Sequence, residues 1–397
     1  MIRMIEKEEF TIVSLLKACA KNRDLIMGLQ LHALMMKRGG GLSSHSHYLC
    51  SALINMYAKC GALSKARQVI EEIPHRHITV WNALISGYTK LGHGHEAFSC
   101  YEEMQREGLS PDVVTFTSIL KACGCVGAVE KGKEVHEKVV SRGLLKKDVM
   151  LGNALVDMYA KCGMLVKAQE VIEDLPIRNA VTWSGLMAGY AQQGQSREAL
   201  NCFERMQSEG VDLDTITFVC VLKACSSTRS IDKGRQIHDE IVRRGLLAKE
   251  NMVIGVALVD MYAKCGVLEK AQEVFEELPI KDTVAWNALI CGYVQEYQNY
   301  KALNCYQCMQ NEGLSPDATT LTCILKACGR IGLLGIGERI HEDIVSRGFL
   351  KKDIVLGNAL VDMYAKCGML AKALEALREL PIHNVVSWSS LIAGYVQ

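Results

Sequence analysis

The sequence predicts an all-α chain, a solenoid of helix-turn-helix repeats, on three observations. The stretch Gly152 to Gly163 reads GNALVDMYAKCG, and its last six residues recur as Met56 to Gly61, Met261 to Gly266 and Met363 to Gly368, with starts 102, 103 and 102 residues apart. Leu-Lys-Ala-Cys, ending at Cys19, Cys123, Cys225 and Cys328, keeps the same beat, as do Trp81, Trp183, Trp286 and Trp388. All six prolines fall at the ends of the units this beat defines. Self-similarity at a fixed period marks an architecture in which each unit packs only on its neighbours. Proline costs about 3 kcal/mol inside a helix, so a chain that confines it to joints is helical between them.

Each period of about 103 residues divides into three helical pairs. The clearest set is 78–112, 113–148 and 149–179, units of 35, 36 and 31 residues. In the third, Ala154, Leu155, Met158 and Tyr159 form one apolar face and Gly163 is the stop. A second helix follows with Ala168, Val171, Ile172 and Leu175 at i, i+3, i+4, i+7, closed by Pro176. The full tiling has an N-terminal stub at 1–8, then units at 9–46 and 47–77, ahead of this set. After it come 180–214, 215–251, 252–282, 283–317, 318–353 and 354–384, and a truncated unit at 385–397. That makes eleven complete repeats with no linker or low-complexity segment. The N-terminal MIRMIEKEEF, acidic at Glu6, Glu8 and Glu9, matches neither a signal nor a transit peptide, and both ends read as cut.

Length alone suggests two or three globular domains, but the repeat overrides that prior. Hydrophobic residues make up 49% of the chain, ample for a continuous core. With 22% charged residues and a net charge of +1, the overall balance points to no particular partner, so any cationic footprint must be local. No apolar run reaches membrane-spanning length. Of 17 cysteines, eight are the recurring Lys-Ala-Cys and Lys-Cys-Gly positions among apolar residues, where a reduced thiol serves as a small hydrophobe.

Units such as ITVWNALISGYTKLGHGHEAFSCYEEMQREGLSPD, residues 78 to 112, resemble pentatricopeptide repeats. The alternation of 35, 36 and 31 residues is similar to the plant P-L-S subclass, with LKACG marking L units and NALVDMYAKCG marking S units. Tetratricopeptide repeats, with a fixed 34-residue period and a different tryptophan pattern, do not fit. The resemblance covers essentially the whole chain. It implies a right-handed superhelix that binds single-stranded RNA, one base per repeat. It also implies work in a mitochondrion or chloroplast, in RNA modification such as cytidine-to-uridine editing or in RNA processing.

Three positions of each unit carry the implied site. At about 100° per residue, positions 2 and 13 lie about 20° apart and positions 5 and 13 about 80° apart, on one helix face. By resemblance, position 2 packs against bases, and here it reads Thr79, Val114, Met150, Val181, Ile216, Val253, Val284, Thr319 and Val355. Position 13, near phosphate, reads Lys59, Lys90, Lys161, Lys264 and Lys366, a basic row that would make affinity salt-dependent. Position 5 with the last residue reads the base edge. The pairs are Asn82 with Asp112, Asn153 with Asn179, Ser184 with Asp214, Asn287 with Asp317, and Asn358 with Asn384. The resemblance implies U for Asn with Asp, C for Asn with Asn and G for Ser with Asp. The L units, with Thr117 and Asp148 or Thr322 and Asp353, are left blank. Ser51 with His77 and Val256 with Asp282 depart from the pattern, and Val256 has no polar atom for a base edge. The implied target is 5′-U-n-C-G-n-n-U-n-C-3′, with the chain's N-terminus toward the RNA 5′ end.

Other chemistry reads weakly. P-L-S proteins often carry a zinc deaminase with H-x-E and P-C-x-x-C motifs. His238-Asp239-Glu240 fits the first, but the sister repeats read His136-Glu137-Lys138 and His341-Glu342-Asp343, so the match belongs to a repeat position. Cys305 and Cys308 lack the proline and two further ligands, so no metal site and no cofactor are expected. The recurring His32, His136, His238 and His341 and the tryptophans read as packing residues. No catalytic constellation stands out, and the chain is expected not to be an enzyme. A deaminase or accessory editing proteins would be partners in trans, and no membrane is involved. A peptide-binding solenoid is the second class, which the neutral charge permits and the asparagines at position 5 disfavour. An incomplete fragment without an independent role is the third.

Overall fold

The structure, a computed structural model, describes residues 2–37, 46–247 and 251–396. Among the described residues it holds twenty-three α-helices and no strand. Packing divides the chain into two units, residues 1–195 with 202–212, and residues 196–201 with 213–397. In the first unit, helices His47–Lys59, Ile78–Lys90, Val113–Val126, Val149–Lys161 and Ala180–Gln192 each open a repeat. In the second, Thr215–Thr228, Met252–Lys264, Thr283–Gln295, Ala318–Ile331, Ile354–Lys366 and Val385–Val396 do the same. Within each unit the first helix of one repeat packs on the first helix of the next, and each second helix packs behind its own first. The sequence boundary at Glu9 differs from the structure, where Ile2–Asn22 is one helix that runs straight through it. The ends of the repeats at 9–46 and 215–251 include residues outside those described.

The repeat boundaries coincide with helix caps. Asp112 accepts from Thr115 N at 2.8 Å, Asp148 from Leu151 N at 3.1 Å, and Asn179 from Thr182 N at 3.0 Å. In the second unit Asp282, Asp317 and Asn384 cap in the same way, at 2.9 Å each. An N-cap of this kind satisfies a backbone donor the helix cannot and contributes about 1 kcal/mol. The Lys-Cys-Gly motif is the opposite signal. At Gly163 the chain turns left-handed, φ 77°, its N–H bonds Ala160 O at 3.0 Å, and Met164 N bonds Tyr159 O at 2.9 Å. Only glycine adopts that conformation without strain, so the motif ends the helix.

Within each unit the core runs along the first helices. Leu155, Met158, Tyr159, Ala168, Val171 and Ile172 are all buried. Trp81, Trp183 and Trp286 are buried too, and the indole N–H groups of Trp81 and Trp286 donate to Glu107 at 3.0 Å and Glu312 at 3.2 Å. Trp388, on the last helix, is half exposed. The four recurring histidines each meet a tyrosine hydroxyl of the following first helix: Tyr57, Tyr159, Tyr262 and Tyr364, at 2.8 to 3.0 Å. Burial holds His32, His136 and His238 below the usual histidine range, as expected of neutral packing groups. Cys123 and Cys328, of the Lys-Ala-Cys motif, are fully buried, and desolvation pushes their thiols up to about 12. No helix of the described residues is long and apolar enough to cross a membrane.

Helix spacing where a 31-residue repeat meets a 35-residue one is set by a small-residue contact. A Cβ added at Gly189 would lie 2.6 Å from Ala160 Cβ, and the same clash recurs for Gly87 with Ala58 and Gly292 with Ala263. Gly189→Ala is therefore expected to destabilise the chain by about 1–3 kcal/mol despite alanine's better helix propensity. Adding Ala160→Gly should recover part of the loss. Urea melts of both variants check this, and an unchanged midpoint for the single variant would refute the close approach.

Candidate nucleic-acid interface

The two residues of each implied reading pair stand at opposite ends of a repeat, about thirty positions apart. The fold brings four of the five pairs into contact. Asn82 Nδ2 donates to both carboxylate oxygens of Asp112, at 3.0 and 3.1 Å. A third residue, Thr115, closes the group. Its hydroxyl lies 2.6 Å from Asn82 Oδ1 and 2.8 Å from Asp112 Oδ1. Asn287, Asp317 and Thr320 repeat this triangle in the second unit, with 3.0 Å from the amide to each carboxylate oxygen and 2.6 Å from hydroxyl to amide oxygen. The Asn–Asn pairs build a looser version. Asn153 Nδ2 donates to Asn179 Oδ1 at 3.3 Å and Thr182 Oγ1 to Asn153 Oδ1 at 2.5 Å. Asn358, Asn384 and Ser387 match it, at 3.4 and 2.6 Å.

Position 3 of the following repeat thus joins these pairs through its hydroxyl, a partner that the pairwise reading missed. Its signal was present, as Thr115, Thr182, Thr217, Thr320 and Ser387 recur there. Where the hydroxyl is absent, so is the triangle. Val256 and Ala285 leave Asp282 only its capping bond to Ala285 N. Ser51 donates instead to Tyr48 O at 2.9 Å, and His77 caps Thr79 N. Ser184 lies in the first unit, buried, its hydroxyl on Val181 O at 3.2 Å. Asp214 lies in the second, capping Thr217 N at 2.8 Å and accepting its hydroxyl at 2.7 Å.

The triangle controls which atoms remain open. Asn82, Asn153 and Asn287 are each 7% exposed, so the reading asparagines are nearly enclosed, whereas a helical wheel gives only their bearing. Asp112 Oδ1 takes the Thr115 N–H and hydroxyl, which leaves Oδ2 with a single contact, the Asn82 amide. That oxygen is an open acceptor. In the Asn–Asn version Asn179 Oδ1 takes Thr182 N, the Thr182 hydroxyl and the Asn153 amide. The backbone donor fixes the orientation of the Asn179 amide and leaves its NH₂ with no hydrogen bond among the described residues.

Position 2 faces solvent throughout. Val114, Val181, Val253, Val284 and Val355 are 54 to 63% exposed, and Met150 and Ile216 are exposed alongside them. Apolar side chains left out of the core in a regular row mark a contact surface. In the second unit Val253 and Val284 line an open groove of about 700 Å³ together with Asn287, Asp317 and Lys264. The lysines of position 13 divide into two kinds. Lys161, Lys264 and Lys366 pair with the aspartates four residues earlier, Asp157, Asp260 and Asp362, at 2.7, 2.8 and 2.6 Å. For Lys59 and Lys90 that earlier position is Asn55 and Ser86, and neither lysine makes an ion pair among the described residues. Both line a groove of about 420 Å³ with Lys21 and Arg23. The basic row is strongest where it lacks the aspartates.

Comparisons with known proteins place the chain in a family. The PPR repeat family model matches residues 76–125, 178–227 and 281–330. The PPR repeat model matches 10–40, 48–78, 114–144, 153–179, 216–246, 256–282 and 358–385. The chain belongs to the pentatricopeptide repeat family. A chloroplastic pentatricopeptide repeat-containing protein of Arabidopsis thaliana is 34% identical over 389 residues, which is 98% of this chain and 62% of the relative. A mitochondrial one is 32% identical over 455 residues, 98% of this chain and 44% of the relative. The chain spans about half the length of the curated relatives it matches. Among solved structures, pentatricopeptide repeat protein PPR10 from maize superposes with a TM-score of 0.63 at 19% identity, over 97% of this chain and 61% of that one. The same protein in complex with an 18-nt psaJ RNA element gives 0.60 at 18%, over 97% and 66%. At these identities the likeness is one of fold, an α-solenoid of helical pairs.

Thr320→Val keeps the shape but removes the hydroxyl that holds Asn287. It is expected to cost about 1–3 kcal/mol, because the enclosed Asn287 Oδ1 then loses its donor. Chemical denaturation measures the loss, and the same change at the adjacent exposed residue, Thr319→Val, should be close to neutral.

Proposed function

We propose that this chain binds single-stranded RNA sequence-specifically, one base per repeat, through the open face of its first helices. The observation that carries the reading is the difference in the atom left unpaired at the ends of four repeats. Asp112 and Asp317 offer an acceptor, which suits the N3–H donor of uracil. Asn179 and Asn384 offer a donor, which suits the N3 acceptor of cytosine. The position 2 row would flank the bases. The lysines would lie toward phosphate, with Lys59 and Lys90 free and the other three able to exchange a weak exposed ion pair for a phosphate. The RNA-bound state of maize PPR10 is consistent with this use of the fold. The wider role we infer is organellar, in a mitochondrion or chloroplast, as the relatives' names suggest. The task there would be selecting sites for cytidine-to-uridine editing, with the deaminase or accessory proteins acting in trans, or RNA processing.

The test is binding to 5′-U-n-C-G-n-n-U-n-C-3′ beside a scrambled RNA and the matching DNA, over a range of salt. The expected outcome is tight binding to the cognate RNA alone, weakening as salt rises. Asn179→Asp should then convert the preference at that position from C to U, a change of about 1–3 kcal/mol between the two bases. Equal affinity for the scrambled RNA would overturn the reading and point to a protein partner.

A further inference from the structure

One pair of side chains, Cys291 in the lining of the 700 Å³ groove and Cys323 against it, lies outside the proposed base-reading groups. Cys291 is position 9 of the repeat 283–317 and Cys323 is position 6 of the repeat 318–353. The packing of helix Thr283–Gln295 against Ala318–Ile331 brings their sulfurs to 2.6 Å, with both thiols free and neither fully buried. Cys291 lines the 700 Å³ groove four residues from Asn287, and Cys323 follows Thr320 by three. The pair therefore sits one helical turn from the Asn287–Asp317–Thr320 triangle. These two cysteines are also not among the eight that recur as core residues. At the same register the earlier junctions carry Ser86 with Ser118, and Ala188 with Cys220, so only this junction holds two thiols.

We infer that Cys291 and Cys323 form a redox-responsive dithiol that closes into a disulfide by exchange with a low-molecular-weight disulfide such as oxidised glutathione, tying two neighbouring repeats together beside a base-reading group. In the first step the Cys323 thiolate attacks one sulfur of the oxidant, forming a mixed disulfide and expelling one glutathione thiolate. In the second the Cys291 thiolate attacks the Cys323 sulfur and expels the other. The protein loses two hydrogens and two electrons, and the oxidant leaves as two thiols. The order of attack follows from the surroundings. The hydrogen bond from Cys291, with Lys326 nearby, holds the Cys323 thiol below the ordinary cysteine range against its burial. The same hydrogen bond and burial push Cys291 up. The thiol of lower pKa is the one present as nucleophile. With the sulfurs at 2.6 Å, closing to the roughly 2.05 Å of a disulfide bond draws the two helices slightly closer at this turn. The effect on RNA rests on the RNA-binding reading above; the disulfide does not.

The full chain would be equilibrated in glutathione buffers from reducing to oxidising, acid-quenched, and mapped by peptide mass spectrometry. The expected result is a Cys291–Cys323 linked peptide, reversed by excess thiol, while Cys123 and Cys328 stay reduced. Cys291→Ser keeps a hydrogen-bond donor and should instead accumulate the mixed disulfide at Cys323. Oxidation at exposed Cys125 or at Cys305 and Cys308, with Cys291 and Cys323 unlinked, would overturn the inference. RNA binding of the two states is then compared. A several-fold weaker affinity in the oxidised wild type, absent in Cys291→Ser, supports control of the groove, and equal affinity with the disulfide formed refutes that control. If neither state binds RNA while the linked peptide forms, the proposed function fails and the dithiol stands.

Discussion

The carboxylate or amide that ends a repeat has to satisfy an unpaired N–H in the first turn of the next helix, that of its third residue, and this obligation organises everything around it. Because Asp112 must point one oxygen at Thr115 N, its other oxygen has a fixed bearing. Because Thr115 is drawn to the same carboxylate, its hydroxyl is in place to hold the Asn82 amide. Helix initiation, junction geometry and the open polar atom are thus one hydrogen-bonded unit. A side chain fixed by a backbone donor loses little further freedom on binding, which is the condition for a selective polar contact.

Much of the fold was legible because its signals are local. The Lys-Cys-Gly stop, the capping aspartates and the prolines mark the ends of helices directly in sequence, and repetition multiplies each signal four times. The residue pairs of the candidate site were legible only through family resemblance. Asn82 and Asp112 are thirty residues apart, and no local rule joins them. Thr115 was missed for the same reason. It lies outside the repeat it serves, so a reading made one repeat at a time assigns it to helix capping alone. The start of the first helix at Ile2 was also misplaced, since no proline or capping residue stands there to stop helix at Glu9.

The lysine row shows where composition misleads. Five lysines at one register suggest an even stripe of charge, yet Asp157, Asp260 and Asp362 stand one turn before three of them. Those aspartates belong to the same motif that carries the lysine, so the charge comes with its own partner. Lys59 and Lys90 escape because Asn55 and Ser86 replace the acid. The cationic strength of the face is therefore graded within the first unit rather than uniform along it.

The triangle found at four junctions also bears on how such chains could be recombined. A cut at the start of a first helix looks natural, since caps and prolines lie there. Yet it separates Asn82 and Asp112 from Thr115, and a transplanted 78–112 would inherit whatever stands at position 3 of its new neighbour. The self-contained cassette runs instead from position 5 of one repeat to position 4 of the next, across the visible seam. In lineages where repeats duplicate and shuffle, breakpoints inside first helices would preserve specificity, and breakpoints at the seams would scramble it.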